Sequence, residues 1–234
     1  MPAITTAQRR AHYDEFVAHV IALCATGGVR AALVSGRGRP VQQCGRMQKY
    51  LAARIGHYGA RHAHYTVASL IAMQRHLADE DAPYTAETAF PPSGHSTTTD
   101  DPATDTNQGS LPDEPLKSPD VPTASAARPK QAGQPWRTRP NLGTTLAIAV
   151  ARCGFKQSRM DDRIETLTKL STQLLHPRLW TLATHLNNRG AARLDFAVLL
   201  EDLAWWDYDR LHIADRWRES YFLTLDLLAF QENN

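Results

Sequence analysis

No run of apolar residues in this chain is long enough to cross a bilayer, and the opening MPAITTAQRRAHYDEF holds no apolar signal core. The expectation is a soluble cytoplasmic protein with no membrane partner. Cysteine is scarce: Cys24, Cys44 and Cys153 are odd in number and form no CxxC pair. That argues against a disulfide framework or a zinc knuckle and for a reducing compartment. A strong charge of one sign is also missing, since the formal net charge is +2 over 234 residues. Bulk charge therefore selects no partner. No segment alternates apolar and polar residues in the manner of a strand, so no sheet is expected.

The familiar catalytic and phosphate-cradle patterns are lacking as well. There is no HExxH, no GxGxxG and no Walker sequence, and Ser158 and Ser171 have no nucleophile context. Among ten histidines, His57, His62 and His64 cluster, but His62 and His64, two residues apart, point to different helix faces. The pairs Asp161-Asp162 and Glu201-Asp202 read as helix-surface or first-turn charges, not as a general acid and base. The expectation is no catalytic residue, no metal and no cofactor.

What is present is helical periodicity in two blocks. Thr6 is placed to cap a helix to about Cys24 with Phe16, Val20 and Leu23 inward. A short helix, Val29–Val34, closes at Gly36. Met47, Tyr50, Leu51 and Ile55 mark the next. A helix from Arg61 to about Leu77 is apolar nearly all round and belongs at the centre. In the second block Leu142, Leu146 and Cys153 form one stripe. Ser158 is placed to cap the helix carrying Ile164, Leu167 and Leu170. Pro177 suits the first turn of another. Asp195 starts the last stretch, LDFAVLLEDLAWWDYDRLHIADRWRESYFLTL, which reads as two helices meeting at a Trp205-Trp206 corner. Leu211, Ala214, Trp217, Tyr221 and Leu225 share a stripe on the second of them.

Between the blocks the composition changes. Nine of fourteen prolines lie between Pro91 and Pro135, and no periodicity survives. From Ala86 to Pro135 seven acidic residues face three basic ones, a net of −4, which leaves +6 on the remainder. Such a segment buries too little apolar surface to offset its ordering entropy and reads as a disordered linker. The expected architecture is all-α: a helical lobe over 1–82, a linker over 83–140 and a second lobe over 141–234. Gly36-Arg37-Gly38-Arg39-Pro40 offers two glycines for close backbone approach to a partner and two guanidinium forks suited to phosphate. In isolation it is also an ordinary solvated turn.

Taken in order, EFVAHVIALC, RAALVSGRGRPV, RMQKYL and HYTVASLIA, then NLGTTLAIAV, SRMDDRIETL, LDFAVLLEDLAWWD and DRWRESYF, resemble the CasB family, the small subunit of the type I-E CRISPR surveillance complex, Cascade. The resemblance covers Thr6 to Leu77 and Asn141 to about Leu225. The linker is longer than the family suggests. Where some relatives carry a basic run at the tryptophan corner, this chain has Asp207, Tyr208 and Asp209 before Arg210. The resemblance implies a non-catalytic, all-α subunit, commonly paired with a second copy of itself. Its implied partners are the backbone and large subunits, the guide RNA, and the target and displaced DNA strands. It places basic contact sites near Arg61, Arg163, Lys169 and Arg210. From the residues themselves Arg37, Arg39, Arg46 and Lys49 join them as candidate nucleic-acid contacts. Two other readings remain: a stand-alone helical binder of single-stranded nucleic acid, and a scaffold subunit that touches no DNA.

Overall fold

In a computed structural model that describes residues 4–56, 59–74, 134–190 and 194–232, the described residues form eight α-helices and no strand. The order is α1 (Thr6–Cys24), α2 (Gly27–Val34), α3 (Gly45–Ile55), α4 (Arg61–Met73), α5 (Leu142–Cys153), α6 (Gln157–Lys169), α7 (Thr172–Asn188) and α8 (Phe196–Glu232). The all-α expectation holds. Two one-turn 3-10 helices also lie among the described residues, at Val41–Gln43 and Trp136–Thr138.

Helix α1 is capped by Thr5, one residue before the expected Thr6. Its hydroxyl accepts from the Gln8 backbone N–H at 3.2 Å, and the Gln8 side chain accepts from the Thr5 N–H at 2.9 Å. Helix α4 is central, as its all-round apolar pattern requires. Every residue from Ala63 to Ala72 is buried, and the helix packs on α1, α2, α3, α7 and α8. Helix α5 lies against α8 with Gly143 at the crossing. A Cβ there would run into the Trp217 backbone carbonyl, so only glycine lets the two helices approach this closely.

The two blocks of the sequence meet in one hydrophobic core, which runs from Tyr13, Phe16 and Val20 through Leu51 and Leu70 to Leu146, Leu200 and Trp217. Most of the segment expected as a linker, 83–140, lies outside the described residues. Its last seven residues do not, and three of them, Trp136, Arg139 and Pro140, are wholly or partly buried. The Arg139 guanidinium is buried and donates to Asp195 at 2.6 and 2.7 Å and to Asp14 at 2.8 Å. Trp136 donates its indole N–H to Glu201 at 2.6 Å. Arg139 thus ties α1 to the start of α8. Asp195 also caps α8, as expected, accepting from the N–H groups of Ala197 and Val198 at 3.1 Å.

Several local expectations are corrected. Helix α8 runs straight through Trp205 and Trp206 and bends three residues later, at Asp209 (φ −136°, ψ 34°). Consecutive helical residues are about 100° apart, so the tryptophan pair divides: Trp206 is buried and stacks on Trp217, while Trp205 is 37% exposed. Beyond the bend Ala214, Trp217 and Tyr221 face inward, but Leu211 is 74% exposed in the first turn after the break. Pro177 lies inside α7, not in its first turn, because the helix begins at Thr172. The carbonyl it leaves unpaired, on Gln173, is on the exposed side, where water can satisfy it. Helix α6 is preceded by Lys156, not capped by Ser158. Glu201 and Asp202 are not surface charges: both are buried and accept from Arg10, Trp136, Arg216 and Trp217.

Candidate nucleic-acid interface

The Gly36–Pro40 turn is set by close packing within the chain. A Cβ at Gly36 would sit 2.6 Å from the Met47 sulfur. One at Gly38 (φ +70°) would sit 2.5 Å from the His176 backbone carbonyl. The two glycines therefore admit the chain's own α3 and α7, a correction to the reading in which they admit a partner. Arg37 itself takes a left-handed conformation (φ 48°), and Arg39 donates its backbone N–H to the Gly36 carbonyl at 2.8 Å. With both glycines pinned, the Arg37 and Arg39 side chains are left exposed.

A histidine stack extends the same anchor. The His62 Nε2 lies 3.3 Å from the Gly38 carbonyl, and its ring stacks on His176 at 3.7 Å. His176 is fully buried, with Nδ1 2.6 Å from the Thr66 hydroxyl, and burial pulls its pKa down to about 3. It is a neutral structural ring. His64 points elsewhere, as the two-residue spacing requires. Its Nε2 faces that of His12 at 3.3 Å, and burial lowers its pKa to about 4. Arg61, the first residue of α4, precedes His62 and is exposed. Arg37, Arg39 and Arg61 thus gather within two residues of one contact point, and the exposed Arg178, two residues past His176, joins them. None of these four guanidinium groups makes an ion pair or hydrogen bond among the described residues.

The other candidates divide into separate groups. Arg46 and Lys49 are exposed one turn apart on α3, with the Lys49 ammonium 4.7 Å from the Tyr50 ring centroid. Arg163 is half-buried and donates to His185 at 3.2 Å, and Lys169 pairs with Glu165 at 3.2 Å. Arg210 is exposed just past the α8 bend. Lys169 and Arg210 flank one junction, where the Trp206 indole donates to the Leu170 carbonyl at 3.0 Å and the Thr172 hydroxyl donates to Asp207. Asp207 is the acceptor that holds the α6–α7 turn there.

Apart from Arg178, the first two groups have a plain signal in the sequence. Between Glu15 and Asp79 there is no carboxylate, while Arg30, Arg37, Arg39, Arg46, Lys49, Arg54, Arg61 and Arg75 all fall in that interval. Averaging over the whole chain to +2 hides it. Arg30 is the structural member: it donates to the Ala72 and Gln74 carbonyls at 2.8 and 2.9 Å and closes the end of α4. Arg178 had no such signal, because only the fold brings it beside the turn.

Residues 29–222 match the family model described as CRISPR-associated protein Cse2. The chain belongs to the Cse2 family. All eight candidate contacts lie inside the matched span. Among curated proteins none matches the sequence. Two solved structures share the Cse2 fold of this chain. A chain of a CRISPR RNA-guided surveillance complex superposes with a TM-score of 0.64 at 22% identity, over 96% of this chain and 99% of its own length. A chain of a pre-nicking CRISPR RNA-guided surveillance complex gives 0.66 at 22% identity, over 95% and 98%. The CasB resemblance read from the sequence names this same family.

Proposed function

We propose that this Cse2 family chain is the non-catalytic small subunit of a type I-E CRISPR RNA-guided surveillance complex, and that it stabilises the opened target through the sugar-phosphate backbone. The observation that carries the reading is the carboxylate-free interval before Asp79, whose arginines at positions 37, 39 and 61 stand exposed, with no side-chain partner among the described residues, on a backbone pinned by Gly36, Gly38 and the His62–His176 stack. The partners in this reading are the backbone and large subunits, the guide RNA, both DNA strands and a second copy of the chain.

The physics of the task suits these residues. In guide-directed recognition, base pairing reads the sequence, and exchange of a DNA duplex for a heteroduplex is nearly balanced. Phosphate contacts from Arg and Lys on rigid elements tip such a balance without reading bases. A guanidinium whose backbone is already fixed loses less freedom on binding than one on a mobile loop. The scaffold alternative rests on the low net charge of +2.

The deciding experiment is reconstitution with the other effector subunits and guide RNA, followed by target-DNA binding with and without this chain and with Arg61, Arg163, Lys169 and Arg210 all changed to alanine. The internal partners of Arg163 and Lys169 are exposed, so their loss costs the fold little. Target affinity is expected to fall, and the log-log salt dependence to flatten by about 0.7–0.9 per lost contact. The loss is expected to be equal for different guides and larger on linear than on negatively supercoiled DNA. Unchanged affinity and slope would establish the scaffold reading. Failed assembly would place these residues in a subunit interface.

A further inference from the structure

A groove runs between α2 and α3. Gly28, Ala31 and Ala32 form its α2 side, Gly45 opens the α3 side, and Arg46 and Lys49 stand on its α3 wall. The spacing of both sets puts them on one face of each helix. Neither glycine is there for its backbone, since neither has a left-handed φ, and neither is there for packing, since a Cβ at either would meet nothing within 4 Å. Their effect is to keep the groove floor low. Lys49 rests over Tyr50 at 4.7 Å, which holds its ammonium at the wall, and no carboxylate among the described residues lines the groove.

We infer that this groove seats the phosphodiester backbone of one nucleic-acid strand, with Arg46 and Lys49 on neighbouring phosphates and the strand lying close over Gly28 and Gly45. Two cations, with no carboxylate among the described residues of the lining, over a floor of glycine and alanine match a narrow polyanion in charge and in shape. No base edge is read, so binding is indifferent to sequence. The inference rests on the nucleic-acid reading above and adds a second seat, distinct from the Arg61 group.

The test uses two double variants of the full chain, free and in the reconstituted complex, titrated with labelled single-stranded DNA, single-stranded RNA and duplex DNA of mixed sequence. Arg46→Ala with Lys49→Ala removes charge. Gly28→Leu with Gly45→Leu fills the groove and keeps every charge. Both are expected to leave the circular dichroism spectrum unchanged, since the arginine and lysine are exposed and leucine has the higher helix propensity. Each is expected to weaken strand binding about tenfold, and the charge variant to flatten the salt slope by about 1.4 for two single-strand contacts. The arm weakened most identifies which strand is seated. Loss with the charge variant but not with the filled groove would show plain surface charge and overturn the inference. Loss of assembly with the filled groove, with free-chain binding intact, would make it a protein interface. If the leucines disturb the fold, Gly28→Ala with Gly45→Ala takes their place. Groove variants that bind normally while the Arg61 quadruple variant does not would refute this seat alone. Normal binding by both would refute the function as well.

Discussion

Trp217 shows how one side chain holds two layers together. It is fully buried, stacks on Trp206 with ring centroids 4.9 Å apart, and donates its indole N–H to Asp202 at 2.6 Å. Truncation to alanine loses the packing and leaves the buried carboxylate short of a donor, so Trp217→Ala is expected to cost about 3–5 kcal/mol in urea unfolding. An unchanged midpoint would mean the ring is not in the core. The buried titratable groups set a pH response whose sign follows from their shifts. His64 and His176 are held down to about 4 and about 3 by burial, so the unfolded chain binds their protons first. Their contribution is complete above about 6.5 and is lost as pH falls, roughly 2 kcal/mol each by pH 5. Asp202 acts oppositely. Burial, opposed by Arg216 and the Trp217 indole, raises it to about 6, so its penalty eases by roughly 1 kcal/mol over the same interval. Stability measured by urea titration should therefore drop between pH 7 and 5. A rise over that range would contradict the buried histidine environments.

At the scale of elements, the Gly36–Pro40 turn and the bend in α8 carry the interest. The turn owes its shape to an α7 backbone more than a hundred residues away, through the Gly38–His176 contact. Gly38→Ala combines a left-handed φ with a clash against that backbone, neither of which a side chain can relieve. It is expected to destabilise by roughly 1–3 kcal/mol and to weaken target-DNA binding of the complex although no charge has changed. Binding equal to that of the parent chain would show that Arg37 and Arg39 do not need the anchor. The bend at Asp209 coincides with the docked α6–α7 turn, and it separates a first half of α8 that is buried on most sides from a second half that exposes Leu223 and Leu227.

Over the whole molecule, a segment far along the chain from α1 is tied to it through Arg139, whose buried guanidinium is shared between Asp14 and Asp195. That fixes where a replaceable linker must end. The proline-rich composition upstream supports exchanging Thr88 to Gly133 for a flexible linker of similar reach, and helicity and complex formation are expected to survive. Extending the exchange through Arg139 is expected to fail, because it strands Asp195 in the interior. Loss of folding with the shorter exchange would show that the replaced residues pack.

Local pattern alone determined the helices, the central place of α4 and the Asp195 cap, because each depends on residues within one or two turns of each other. The family was legible for the same reason, as an ordered series of such stretches. The tertiary structure decided everything that depends on phase or long-range approach. A helix bend between Trp206 and Leu211 shifts which residues face inward, and no periodicity announces it. Glu201 and Asp202 look like surface carboxylates until Arg10, Trp136, Arg216 and Trp217 converge on them from other parts of the fold. Arg37 and Arg39 were visible as charges. Their grouping with Arg61 and Arg178 was not, because it is made by Gly38 meeting α7, a contact between backbones that leaves no trace in either local sequence.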